Sequence, residues 1–120
     1  MIYKEERPWG SFEILYEEKS LKVKRIIVKP GQRLSLQSHE HRSENWVILS
    51  GNAIVQLDEE KILLAPNQSV FIHKKAKHRI ENKGNSEVVF IEIQTGSYLG
   101  EDDIITVSYT HLTLPTICSV

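Results

Sequence analysis

Short apolar runs recur along this chain roughly every 8–12 residues, and turn-forming residues separate each run from the next. No long stretch keeps the period of a helix. Pro30-Gly31, Ser50-Gly51-Asn52 and Asn82-Lys83-Gly84-Asn85 are typical turn sequences. The pattern predicts an all-β sandwich or barrel with these strands: Ser11–Tyr16, Leu21–Val28, Arg33–Gln37, Trp46–Leu49, Ala53–Leu57, Lys61–Leu64, Ser69–Ile72, His78–Glu81 and Val88–Gln94.

Length and composition limit the classes of function. A chain of 120 residues predicts one domain, and its formal charge of -1 favours neither a nucleic-acid partner nor an anionic membrane. No apolar run reaches the length of a membrane span. Cys118 is the single cysteine, which excludes an intrachain disulfide. We therefore expect a cytoplasmic protein with no nucleic-acid or membrane partner.

The last fifteen residues differ from the rest. Thr106–Val120, TVSYTHLTLPTICSV, contains no Asp, Glu, Lys or Arg, whereas the preceding chain is densely charged. We predict a domain over residues 1–105 and a non-native tail over 106–120. The alternative is a genuine apolar terminal strand used in packing or dimerisation.

The histidines outside that tail fall in two short segments, 37–44 and 73–82. Divalent transition metals bind neutral imidazoles and ionised carboxylates that different strands bring to one point. Strand alternation would also place one set of polar side chains on a single face, and a polar inward face indicates a solvated or metal-filled cavity. That set is Arg33, Ser35, Gln37 and His39, with Leu34 and Leu36 on the opposite face.

These segments resemble the two motifs of the cupin family. Six residues separate Glu44 from Gly51, as in the first motif, and the paired ligand positions before that glutamate fall on Gln37 and His39. The second motif matches at His78 and Asn82, while two of its glycine positions are Asn67 and Lys75 here. The resemblance implies a double-stranded β-helix (a jelly-roll barrel). It also implies a bound divalent metal, with zinc as the first choice and other transition metals as alternatives. The implied ligands are Gln37, His39, Glu44 and His78.

Longer stretches narrow the resemblance. RPWGSFEIL, KVKRIIVKPGQRLSLQSHEHRSENWVILSG and QTGSYLGEDDI are similar to the C-terminal isomerase domain of type II mannose-6-phosphate isomerases. In that family the domain is often fused behind a mannose-1-phosphate guanylyltransferase. The resemblance implies interconversion of mannose 6-phosphate and fructose 6-phosphate, in GDP-mannose and polysaccharide biosynthesis.

That reaction needs a base and a group that binds phosphate. The sequence does not identify the base; its candidates are His41, Glu40 and Glu81. For the sugar-phosphate substrate we expect Arg42 first, followed by Arg33, Lys77 and Arg79. The alternative for these cations is a solvated basic rim. The alternative to a metal ligand, for each single histidine, is a polar residue at the barrel mouth whose hydrogen bonds are satisfied without a metal.

Two other functions stay open. One is a non-catalytic cupin that binds a sugar phosphate or assembles with a guanylyltransferase. The other is a different cupin enzyme such as an iron dioxygenase, because the same ligands also suit iron. The resemblance also leaves a homodimer open, since cupins frequently pair.

Overall fold

The computed structural model describes residues 2–107, which fold into two antiparallel sheets packed on each other. The six-stranded sheet has the order β1-β2-β3-β10-β5-β8, and the five-stranded sheet has the order β11-β4-β9-β6-β7. The all-β prediction is confirmed. The strands are β1 (Tyr3–Arg7), β2 (Gly10–Glu18), β3 (Leu21–Val28), β4 (Gln37–Ser38), β5 (Arg42–Ser50), β6 (Ala53–Leu57), β7 (Glu60–Leu64), β8 (Ser69–Ile72), β9 (His78–Glu81), β10 (Val88–Gly96) and β11 (Ile105–Thr106), and a 3₁₀ turn, η1, spans Glu101–Asp103.

Most of the predicted strands are present in the structure. The bounds of β3, β6, β8 and β9 are those predicted from the sequence. The predicted strand Arg33–Gln37 is wrong: only Gln37 lies in a strand, and Arg33 forms an isolated bridge to Glu81. This segment leaves the Pro30-Gly31 turn and reaches β9 through single hydrogen bonds, such as Leu34 N to Ile80 O at 3.1 Å. Strand β1 was missed because YKEER has no apolar alternation.

The inward face of each of the strands β3, β5 and β10 is polar in one half of the strand and apolar in the other half. The register aligns this change: Glu92 lies opposite both Lys24 and Trp46, and Phe90 lies opposite both Ile26 and Ile48. The apolar half forms the core, where burying one such side chain contributes about 1.5–3 kcal/mol. The polar half surrounds a cavity. Of the polar face predicted from the sequence, Ser35, Gln37 and His39 line this cavity, whereas Arg33 does not and Leu34, expected on the opposite face, does. The core consists of Trp9, Ile26, Val28, Trp46, Ile48, Ala53, Val55, Leu64, Ile72, Ala76, Ile80, Val88 and Phe90.

Glycine is required where β10 ends beside β5. Gly96 pairs with Arg42, and a Cβ on Gly96 would lie 2.1 Å from the carbonyl oxygen of His41. Only a residue without a side chain allows this approach. Gly96 therefore allows β10 to approach β5 closely at the polar end of both strands.

The described chain ends in a short strand beside the segment that carries Gln37. The first two residues of the predicted tail are described, and Thr106 pairs with Gln37 in the β11–β4 ladder. The rest of the predicted tail, 108–120, lies outside the described residues. Across residues 2–107 the structure contains no helix with the length and apolar character that a membrane crossing demands.

Candidate metal centre

Three buried side chains bring metal-binding atoms together in the polar half. His39 follows β4, Glu44 lies on β5, and His78 begins β9. Nε2 of His39 is 3.2 Å from Oε2 of Glu44, and Nε2 of His78 is 3.7 Å from Oε1 of Glu44. One ligand atom from each residue lies within 4.8 Å of the other two, so the cluster could hold one metal ion.

The backbone orients both imidazole rings toward this point. Nδ1 of His39 lies 3.0 Å from the carbonyl oxygen of Asp103, and Nδ1 of His78 lies 2.9 Å from that of Ala76. A carbonyl only accepts, so each Nδ1 carries the hydrogen and each Nε2 is directed at Glu44. In the neutral rings two nitrogen lone pairs then face a carboxylate, and a cation placed between them would relieve that conflict. Hydrogen bonds of this kind are typical of metal-binding histidines.

Protonation states also suit a metal. Burial would raise the pKa of Glu44, but in the metal-free site the hydrogen bond from a protonated His39, the charge of a protonated His78 and the charge of Arg42 outweigh it and hold that pKa below its usual range. Burial lowers the pKa of His78, against the opposing charge of Glu44. An ionised carboxylate and a neutral imidazole are the forms that bind divalent cations.

Gln37 lies beside this cluster, as expected of a fourth ligand. It pairs with His78 across β4 and β9. Its amide nitrogen donates a hydrogen bond to Oγ of Ser35 at 2.7 Å, which leaves the amide oxygen as the atom available to a metal. That Gln37 is a ligand stays a prediction.

Arg42 also reaches the cluster. Its Nε donates a hydrogen bond to Oε2 of Glu44 at 2.9 Å, and its Nη2 lies 3.1 Å from Nε2 of His39. The guanidinium therefore contacts two of the atoms that would coordinate a metal. An ion in this centre would take over those contacts and leave Arg42 with fewer partners.

Two adjoining cavities surround these residues. The inner one, about 40 Å³, is lined by His39, Glu44 and His78. The outer one, about 330 Å³, falls within the range of small-molecule pockets, roughly 300–1,000 Å³. Both walls include Leu34, Gln37, Arg42 and Glu92, so the outer cavity leads to the candidate metal centre. The outer wall is completed by Arg7, Trp9, Phe12, Lys24, Ile26, Glu101 and Ile104.

Glu92 is a buried carboxyl group that the sequence reasoning missed. Its Oε1 and Oε1 of Glu44 accept hydrogen bonds from the same Trp46 indole N–H. Burial, together with the negative charge of Glu44, raises the pKa of Glu92 to about 7. The signal was present: in VVFIEIQTG the polar residues Glu92 and Gln94 continue the inward face that begins at Phe90.

The three candidate bases from the sequence lie away from the cavities. His41 has a 56% exposed side chain, and its Nδ1 lies 3.1 Å from a carboxylate oxygen of Asp103. Glu40 is exposed, and its backbone N–H donates to Asp103 at 3.1 Å. Glu81 is three residues beyond His78 on β9, hence on the other strand face, and it lines neither cavity. That any of the three acts as the base stays a prediction.

The four candidate phosphate-binding cations separate into two groups. Arg42 lines both cavities and Arg79 lines the inner one. Nε and Nη1 of Arg79 have no hydrogen-bond partner in the described part of the chain. Lys77 is exposed, and Arg33 is in the wall of neither cavity.

Two loop positions that are glycine in the cupin motif have the backbone conformation of glycine. Asn67 has φ of 71° and Lys75 has φ of 70°, both in the left-handed region. The backbone N–H of Lys75 donates to the carbonyl oxygen of His39 at 2.7 Å. The loop that contains Lys75 therefore supports the segment that carries His39, a candidate ligand.

Comparison with known families and sequences gives a consistent result. The family described as "Mannose-6-phosphate isomerase C-terminal" matches residues 2–109. The xanthan biosynthesis protein XanB of Xanthomonas campestris is 48% identical over 105 residues, which are 88% of this chain and 22% of XanB. The alginate biosynthesis protein AlgA of Pseudomonas aeruginosa is 50% identical over 98 residues, 82% of this chain and 20% of AlgA. The chain thus spans about a fifth of the length of each of these two relatives.

Solved structures agree on the fold. CapF superposes with a TM-score of 0.75 at 22% identity, covering 88% of this chain and 34% of CapF. A cupin superfamily protein from Desulfitobacterium hafniense superposes with a TM-score of 0.64 at 19% identity, covering 70% of this chain and 74% of that protein. The predicted cupin fold is confirmed.

Proposed function

The chain belongs to the family of mannose-6-phosphate isomerase C-terminal domains, and we propose that it interconverts mannose 6-phosphate and fructose 6-phosphate with a bound divalent metal, for which zinc is the first choice. One observation carries this proposal. A His-Glu-His cluster and a second buried carboxyl, Glu92, line the same inner cavity, and a ligand-sized cavity leads to them.

His39, Glu44 and His78 would hold the metal, with the amide oxygen of Gln37 as a fourth ligand. A bound divalent ion supplies Lewis acidity, which polarises a sugar oxygen and stabilises the negative charge that develops on it. Trp46 fixes the position of Glu44 by donating its indole N–H to Oε1 at 2.9 Å. The carbonyl groups of Asp103 and Ala76 hold the two imidazole rings in the matching tautomer.

Glu92 is the base in this proposal. Isomerisation of an aldose to a ketose moves one proton from C2 to C1 and a second from the O2 hydroxyl to O1. One carboxyl group at the C1–C2 edge can remove the C2 proton and return it to C1. A base works best with a pKa close to the working pH, and burial beside Glu44 raises the pKa of Glu92 to about 7. Gln94 donates its amide N–H to Oε2 of Glu92 at 2.7 Å and so orients the carboxyl.

The apolar side of the outer cavity would cover the sugar. Trp9, Phe12 and Ile26 line it, and Leu34 closes the wall shared with the inner cavity. Excluding water from this space strengthens the electrostatic interactions between the reacting sugar and the fixed charges around it. The sugar would enter with its C1–C2 end toward Glu92.

The biological role we propose is the supply of a mannose precursor for polysaccharide synthesis. XanB and AlgA are named for xanthan and alginate biosynthesis, and an Escherichia coli relative is named mannose-1-phosphate guanylyltransferase 2. That relative is 48% identical over 99 residues, which are 82% of this chain and 20% of its own length. The isomerase reaction would precede the steps that lead to GDP-mannose.

A coupled assay tests the proposal. Purified chain loaded with zinc is supplied with mannose 6-phosphate, and fructose 6-phosphate is measured by a linked dehydrogenase. We expect turnover that His39→Ala and Glu44→Ala abolish while circular dichroism shows an intact fold. His73→Ala, at an exposed histidine outside the cluster, is the matched control. Metal binding and mannose 6-phosphate binding without turnover would contradict the isomerase and favour a non-catalytic binding module.

A further inference from the structure

Three cationic side chains of the polar half converge on one acidic residue of η1. Oε2 of Glu101 lies 3.8 Å from Nζ of Lys22, 3.9 Å from Nζ of Lys24 and 4.0 Å from Nη1 of Arg42. The cationic side chains are 8%, 10% and 5% exposed, whereas that of Glu101 is 61% exposed. A surface carboxylate therefore faces a nearly buried group of positive charges.

Glu101 does not satisfy the hydrogen-bonding capacity of this group. Its three ion-pair distances all exceed hydrogen-bond length, roughly 2.7–3.2 Å. Nη1 of Arg42 is buried and has no hydrogen-bond partner within residues 2–107. Glu44 and His39 engage the other side of the same guanidinium, which fixes the direction of the remaining N–H groups. Lys22 has other acceptors, Oε2 of Glu17 at 3.3 Å and the carbonyl oxygen of Leu99 at 3.5 Å. A buried charged donor without an acceptor, as at Nη1 of Arg42, is costly unless a ligand completes it.

The cations lie where one end of a substrate would be. Lys24, Arg42 and Glu101 line the outer cavity, and Lys22 lies next to Lys24 on the inward face of β3. Lys24 is also the strand partner of Glu92, the proposed base. The guanidinium of Arg42 spans the space between them, because its Nε and Nη2 face Glu44 and His39 while its Nη1 faces Glu101. A six-carbon chain with its reacting end near Glu92 would bring its other end toward the Nη1 side.

Resting on the proposed function, we propose that Lys24 and Arg42, supported by Lys22, bind the phosphate of a phosphate monoester, and that the carboxylate of Glu101 holds this place until the phosphate displaces it. A phosphate offers three terminal oxygen acceptors at hydrogen-bond distance, where Glu101 offers one distant carboxylate. Arg42 was expected to bind phosphate from the sequence; Lys22, Lys24 and the role of Glu101 were not.

The local structure allows Glu101 to leave. The η1 turn is held by Asp103, whose carboxylate accepts hydrogen bonds from the backbone N–H groups of Glu40 at 3.1 Å and His41 at 2.9 Å. Glu101 contributes only long ion pairs to that attachment. Its side chain can therefore rotate into solvent while the turn and the His39 segment stay in place.

Two variants with opposite expected effects test the proposal. Calorimetric titration with inorganic phosphate is performed on EDTA-treated protein, so that phosphate cannot bind a metal. Glu101→Gln removes a competing charge and should tighten phosphate binding about five-fold, the scale of one to a few exposed ion pairs. Lys24→Met should weaken binding at least about ten-fold. Glu87→Gln, an exposed glutamate remote from η1 in the sequence, is the matched control for net charge and should leave binding unchanged.

The substrate is tested with the same variants. Mannose 6-phosphate should follow the pattern of inorganic phosphate, and unphosphorylated mannose should show no difference between Glu101→Gln and the parent chain. Because Glu101 is exposed, its variant will fold, so an unchanged phosphate affinity in Glu101→Gln overturns the proposal. If phosphate binding changes as expected but zinc-loaded chain does not isomerise mannose 6-phosphate, the phosphate site stands and the isomerase fails. If the chain turns over with a KM that neither Lys24→Met nor Glu101→Gln changes, the isomerase stands and the phosphate site fails.

Discussion

Glu44 and Glu92 accept hydrogen bonds from one indole N–H, that of Trp46, at 2.9 and 3.1 Å. The two carboxyl groups are both buried, yet their pKa values move in opposite directions. Glu44 is surrounded by His39, His78 and Arg42 and stays ionised, whereas burial and the charge of Glu44 raise the pKa of Glu92 to about 7. Two carboxyl groups with separated pKa values can take different roles in one site. In the proposed function they are a metal ligand and a base.

The first prediction concerns the pH dependence of activity. As the proposed base, Glu92 must be ionised, so kcat/KM for mannose 6-phosphate should rise with pH and level off above the Glu92 pKa of about 7. Glu92→Gln keeps the size of the side chain but cannot take a proton, and it should lower kcat by about 10²–10⁴-fold. A residual activity in Glu92→Gln near that of the Glu87→Gln control would assign the base elsewhere.

The second prediction concerns stability, in metal-free protein. The pKa of Glu92 is higher in the folded state than in the unfolded chain, so folding favours the protonated form. That contribution is complete below the unfolded pKa, roughly 4.3, and is lost as pH rises through the folded pKa. Glu92→Gln removes the cost of ionisation, so its Tm relative to the parent should be higher at pH 8 than at pH 5. Equal differences at both pH values would contradict a buried, proton-binding Glu92.

The third prediction concerns metal removal. Zinc that binds the folded chain should raise its free energy of unfolding by about 2.7 kcal/mol at a free concentration 100 times Kd. EDTA should reverse the rise. His78→Ala removes one ligand atom of the cluster and should abolish the shift in Tm, whereas His73→Ala, at an exposed histidine, should retain it. Equal zinc stabilisation of both variants would place the metal outside this cluster.

The fourth prediction tests the loop beneath the metal centre. Lys75 has φ of 70°, a conformation that costs a non-glycine residue roughly 1–2 kcal/mol. Lys75→Gly relieves that cost but adds freedom to the unfolded chain, so we expect a net gain of about 0.5–1 kcal/mol by urea unfolding. Lys74→Gly, next to it and without positive φ, should instead lose stability. A loss in Lys75→Gly as large as in Lys74→Gly would show that the backbone there carries no strain.

The sequence could predict the fold and the candidate ligands because both depend on local spacing. Alternation of apolar residues located most of the strands, and the interval from Glu44 to Gly51 placed Gln37 and His39 in the family register. The predicted strand Trp46–Leu49 does not include Glu44, which lies on β5 in the structure. His39, Glu44 and His78 were grouped by the resemblance to the two cupin motifs.

The residues that were missed depend on the pairing of distant strands. The alternation in β10 indicates that Glu92 faces inward, but it does not show which groups of other strands lie beside it. In β3, Lys24 is one of three charged residues, and the sequence does not show which of them face a cavity. The pairing of β3 with β10 places Lys24 opposite Glu92, and both line the outer cavity that leads to the candidate metal centre. The prediction for Arg33–Gln37 failed for a related reason, because alternation resembles a strand even where the chain makes isolated contacts. Glu81 was a candidate base, yet it lies three residues beyond His78 along β9 and therefore on the other face of that strand.

The most direct test of the account is a zinc titration in which metal occupancy and turnover of mannose 6-phosphate are measured on the same metal-free protein. We predict that turnover increases in proportion to bound zinc, reaches its maximum at one ion per chain, and is absent from Glu44→Ala at every zinc concentration. Full occupancy of the His39–Glu44–His78 centre without formation of fructose 6-phosphate, or turnover that persists in the metal-free chain, would contradict it.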